Sequence, residues 1–108
     1  MTLQEMATLL RGMGIPLAYH HFAEGESPDP PFLLYLSPGS DNFAADGIAY
    51  FKVTQVDIEL YTDEKSPDTE AQLEALLDGA GLFYDKTESY IESEKLYEVL
   101  YQTQIIGG

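Results

Sequence analysis

The chain has 108 residues, 44% of them apolar, with nineteen acidic side chains against five basic ones and a formal net charge of −14. That is enough apolar material for one domain with one core, so residues 1–108 are read as a single unit and disorder is excluded. The charge argues against nucleic acid and anionic membranes as partners, because both require clustered Lys and Arg.

Cysteine is absent, which removes disulfides, thiolate nucleophiles and Cys-based zinc sites, and makes an intracellular location the simpler expectation. The longest apolar run, Pro31 to Leu36, is about six residues, far from the roughly 18–20 needed to cross a bilayer. Met1-Thr2-Leu3-Gln4-Glu5 lacks the basic start of a secretory signal, so an unsecreted, soluble protein is expected.

In chain order, Thr2 and Glu5 have the spacing of a capping box, and Leu3, Met6, Ala7, Leu10 and Met13 recur at helical intervals. A first helix over residues 3–12 follows, with Gly12 or Gly14 as its stop. Pro16 opens a short strand containing Leu17 and Tyr19, followed by His20, His21 and Phe22. Residues 24–31 hold Pro28, Pro30 and Pro31 and read as a loop. Phe32 to Leu36 reads as a strand buried on both faces and as the central strand of the sheet. Ser37 to Gly47 reads as a long polar loop, a place where function concentrates.

From Ile48 to Tyr61 the sequence alternates: Val56, Ile58 and Leu60 point one way, Gln55, Asp57 and Glu59 the other. Phe51 and Val53 carry the opposite parity, which requires either a bulge near Thr54 or cover on both faces. Ser66 as cap, Pro67 in first position and Asp68 and Glu70 in the first turn predict a second helix. Leu73, Leu76, Leu77 and Ala80 form its expected buried stripe, Glu70, Glu74 and Asp78 a solvated ridge opposite, and Gly79 or Gly81 its end. Phe83 to Ile91 and Leu96 to Ile106 predict two strands around Glu92-Ser93-Glu94-Lys95, with Tyr97, Val99, Tyr101 and Ile105 on one face and Glu98, Gln102 and Gln104 on the other. The expectation is an α+β domain in the order α-β-β-β-α-β-β, an antiparallel or mixed sheet with both helices on one face.

Chemistry is sparse. His20 and His21 with Glu24 and Glu26 are the one cluster with metal-ligand chemistry, but neighbours on a strand point apart, so no metal site is expected. The carboxylate pairs lie on polar sides of their elements, where nothing raises a pKa for acid–base work. Gly79-Ala80-Gly81 follows a helix instead of opening one and is a helix stop, not a phosphate cradle. No catalytic residue and no cofactor is expected, and a small enzyme ranks last. Phe43 is an aromatic in a polar loop that either tucks back onto its own domain or plugs a neighbour; in the second case it is, with Asp46 and Tyr50, the candidate for contact with another subunit. Asp57, Glu59, Glu70, Glu74 and Asp78 are candidates for an acidic solvent or channel face.

The run Ile58-Glu59-Leu60-Tyr61-Thr62-Asp63-Glu64-Lys65-Ser66-Pro67-Asp68, an amphipathic helix, Phe83-Tyr84-Asp85-Lys86, and Tyr90-Ile91-Glu92-Ser93-Glu94-Lys95-Leu96-Tyr97-Glu98-Val99-Leu100-Tyr101 resemble small proteins of temperate phages and prophages. Those come from the head–tail morphogenesis region and are regarded as tail terminator, tail completion or head–tail joining proteins. The Pro16-Leu17-Ala18-Tyr19 strand and the Asn42-Phe43-Ala44-Ala45-Asp46 loop fit the same pattern. The resemblance implies a ring of identical copies, often a hexamer, that ends tail growth and meets tail-tube and head-connector proteins, made in the host cytoplasm and carried in the virion tail. It implies no catalytic residue. An acidic wall agrees with a channel that must not hold DNA. The rival reading is an acidic DNA mimic that inhibits a DNA-binding protein.

Overall fold

A computed structural model describes residues 1–40, 42–45 and 49–107. Helix α1 spans Leu3–Arg11, and its capping box is formed: the Thr2 hydroxyl accepts from the Glu5 N–H at 3.0 Å, and the Glu5 carboxylate accepts from the Thr2 N–H at 2.9 Å. Gly12 stays right-handed while Gly14 takes φ +72°, so the left-handed turn falls at Gly14. Helix α2 spans Pro67–Gly79. Ser66 stands at its cap position, but its hydroxyl bonds to the Thr69 hydroxyl at 2.7 Å instead of a backbone N–H. Gly81, at φ +72°, ends the turn that follows.

Five strands, β1 (Leu17–Tyr19), β2 (Phe32–Leu36), β5 (Val53–Thr62), β6 (Tyr84–Ile91) and β7 (Leu96–Ile106), form one sheet in the order β1-β2-β5-β7-β6. The first pair is parallel and the others antiparallel, so the sheet is mixed and the expected order of elements is met. The centre belongs to β5 and not to Phe32–Leu36, because β5 has ten residues, all paired to β7, and its other edge takes β2. Within the region read as a loop, β3 (Phe43–Ala45) and β4 (Ala49–Phe51) pair as a separate two-stranded ribbon.

The β5–β7 register runs unbroken from Val53↔Ile106 to Thr62↔Tyr97. A bulge near Thr54 is thereby ruled out, and the change of phase reflects cover on both faces: Val53 and Val56 are buried on opposite sides. The polar segment ahead of β3 runs beside this end of β5, where Gly39 accepts from the Gln55 N–H at 3.0 Å and the Asn42 side chain from the Val53 N–H at 2.9 Å.

One core joins the layers. Met6 and Leu10 of α1 and Leu73 and Leu77 of α2 pack with Leu33, Val56, Ile58, Leu60, Val99, Tyr101 and Ile105 of the sheet. Both helices therefore cover the same face, and their apolar stripes match the period-2 parity of the strands below. Among the described residues the opposite face carries no helix, although Phe32, Leu34 and Val53 on it are buried.

Candidate functional site

The face away from the helices is assembled by alternation. Asp57, Glu59 and Tyr61 of β5 line up with Gln102, Leu100 and Glu98 of β7, and these with Asp85, Thr87 and Ser89 of β6. Asp57, Glu59, Asp85 and Glu98 thus stand on one surface, and these strand positions include no Lys or Arg. The helix side of β5 is apolar at Val56, Ile58 and Leu60, which leaves the positions between them, Asp57, Glu59 and Tyr61, to polar side chains.

One hydroxyl organises two of the carboxylates. Tyr61 lies 2.6 Å from Glu98 Oε2 and 3.1 Å from Glu59 Oε1, and its single proton can be given fully to only one of them. Burial pushes the Glu59 carboxyl above its ordinary value, the charges of Glu98 and Asp57 add to this, and the Tyr61 hydrogen bond opposes them. The Tyr61 phenol, raised by burial and by the same carboxylates, stays protonated. A protonated Glu59 can donate to the phenol oxygen while Tyr61 donates to Glu98, which satisfies all three groups.

Toward β2 the face becomes aromatic: Phe32 stacks on Tyr61 with centroids 5.0 Å apart, and Phe22 meets Phe32 edge-on at 5.4 Å. At the far end lies an open groove of about 780 Å³ with Asp57, Asp85 and Gln102 among its lining and the exposed Phe83 and Ile106 at its rim.

The solvated ridge expected on α2 does not form. Glu70 is only 4% exposed and accepts from Lys65 Nζ at 2.6 Å and Lys86 Nζ at 2.8 Å. Glu74 accepts from Lys86 at 2.7 Å and from the buried Tyr101 hydroxyl at 2.7 Å, and Lys65 also pairs with Glu88. Burial raises the Glu70 and Glu74 carboxyls, and the hydrogen bonds from their cationic and phenolic partners outweigh it and hold both below the ordinary value. The reason is geometric: Glu70, Leu73 and Leu77 share a helical face, and Lys86 projects from β6 on that side of the sheet. Of the three acids only Asp78 is exposed. These two Glu residues tie helix to sheet and form no solvated ridge, whereas Asp57 and Glu59 lie on the other face of the sheet.

Asp46 lies outside the described residues. Phe43 and Tyr50 are described in their backbone, in β3 and β4, where Ala44 pairs with Tyr50. His20 departs from expectation: it leaves β1 at φ +68°, which breaks strand alternation and brings its Nδ1 to 3.0 Å from that of His21. Among the described residues no three His, Asp or Glu side chains converge as metal ligands.

The fold is thus a mixed five-stranded sheet with two helices on one side and an anionic, partly aromatic face on the other. No protein-family model matches the chain, and no curated protein matches its sequence. Among solved structures it is similar to a chain of the virion of a native gene transfer agent particle, with a TM-score of 0.53 and 16% identity over 94% of this chain and 84% of that one. At that identity the likeness is one of fold.

Proposed function

We propose that this chain is a structural subunit of a phage-derived tailed particle, placed where the tail ends or joins the head, and that it works in several copies without a reactive centre. The observation that carries the reading is the fold likeness to a virion chain across 94% of the residues. The resemblance in sequence to terminator, completion and joining proteins narrows it to the tail end.

The acidic part of the sheet face away from the helices suits a wall beside DNA. Asp57, Glu59, Asp85 and Glu98 repel phosphate, so a passing duplex is not retained. In a ring, often of six, each copy adds a formal charge of −14, so contacts between copies must be apolar and hydrogen-bonded, and the tail tube and head connector are the remaining partners. Deleting the gene in a particle-producing cell tests this: filled heads with unjoined tails, or tails of irregular length, are the expected phenotype. Normal particles at normal yield would overturn it.

A further inference from the structure

The sheet has two edges of unequal character. The β1 edge is three residues long and ends at the left-handed His20. The β6 edge is eight residues long, continuous in register, free of proline and bulge, and paired among the described residues to β7 alone. Such an edge is a template for another strand unless charges guard it. Its central charges do not stand guard: Lys86 is held by Glu70 and Glu74, and Glu88 by Lys65, all on the helix side of the sheet.

We propose that β6 pairs antiparallel with β6 of a second copy about a two-fold axis through Thr87. A two-fold interface sets each residue against its symmetry counterpart, so only registers centred on a single residue are open. Centring on Lys86 opposes two lysines, and centring on Glu88 opposes two glutamates. Centring on Thr87 sets Lys86 against Glu88, Tyr84 against Tyr90 and Asp85 against Ser89. It also brings the exposed Phe83, 83% accessible, toward Ile91 of the other copy. No like charges then face one another, and an aromatic pair closes each end.

The pairing is separate from the virion reading, since it uses an edge and needs no tail. The chain has no cysteine, so single substitutions report register without background. Thr87, Asp85 and Ser89 are all exposed. In the proposed register two Thr87→Cys residues have Cα atoms about 5 Å apart and oxidise to a dimer, whereas Asp85→Cys or Ser89→Cys places like positions about 14 Å apart, beyond disulfide reach.

The expected result is dimer formation by Thr87→Cys at least about tenfold faster than by either control, with mixed Asp85→Cys and Ser89→Cys proteins cross-linking to each other. Sedimentation equilibrium of the unmodified protein should rise from 12.0 kDa toward twice that mass with concentration, and Thr87→Glu, which opposes two carboxylates on the axis, should abolish the rise. Equal cross-linking at all three positions, or a mass that stays at the monomer value at every concentration, would overturn the pairing.

Discussion

Replacing Glu59 by Gln should stabilise the protein, because the parent holds one phenolic proton between two carboxylates. In the folded chain Glu59 is partly buried, 3.1 Å from the Tyr61 hydroxyl that already serves Glu98, with Asp57 two residues away on the same face. Each close like-charge pair costs on the order of 0.5 kcal/mol at a partly exposed site, so removing the Glu59 charge relieves about 1 kcal/mol from its two neighbours. The Gln amide can also donate to the phenol oxygen, as the protonated acid does. About 1 kcal/mol corresponds to a rise in Tm of about 4 °C for a domain of this size. The sign follows from linkage. The folded pKa lies above the ordinary value of 4.5, so the parent's stability is complete below that value and falls as pH rises through the folded pKa. Urea unfolding of both proteins across a pH series should show no difference below the ordinary value and a growing advantage for Glu59→Gln above it, shrinking at high salt. A variant less stable than the parent at neutral pH, or a difference that ignores pH, would show that Glu59 is not destabilised by its acidic neighbours.

The network between α2 and β6 yields a larger effect of opposite sign. Lys86→Met leaves buried Glu70 with Lys65 alone and Glu74 with Tyr101 alone, and since Lys86 is 37% exposed the cost is discounted to about 2 kcal/mol, measurable by urea unfolding. Because Glu70 and Glu74 titrate below 4.5 when folded, they stabilise the protein above that pH, and the parent's advantage over the Glu70→Gln, Glu74→Gln double variant should disappear as pH falls through their folded values. Tyr101→Phe removes one charge-assisted bond at 2.7 Å but leaves Glu74 its lysine, so a loss of about 1 kcal/mol in the same assay is expected. With −14 on each copy, association measured by light scattering should tighten as salt rises, and tightest association at the lowest salt would contradict the account.

Local signals in the sequence carried far. The Thr2 and Glu5 capping box, the Pro67 start and the Leu96–Ile106 strand are all written in residues a few positions apart, and the structure places them as read. What depended on distant partners was not legible. Glu70 and Glu74 looked solvated because helical spacing alone cannot show that Lys86, on another element, projects beneath them. The available signal was the parity of β6, which puts Lys86 beside Tyr101 on the buried face. The centre of the sheet went to β5 because pairing length, not apolarity, decides it. The approach of His20 to His21 was not legible because a single left-handed residue defeats the alternation that separates neighbouring side chains on a strand.

Gold-labelled antibody against this chain, imaged on purified particles by electron microscopy, locates the subunit within the particle. Label is expected only at the end of the tail or its junction with the head, at several copies per particle. Particles without label, alongside single copies bound to a DNA-binding protein and released by duplex DNA, would contradict this.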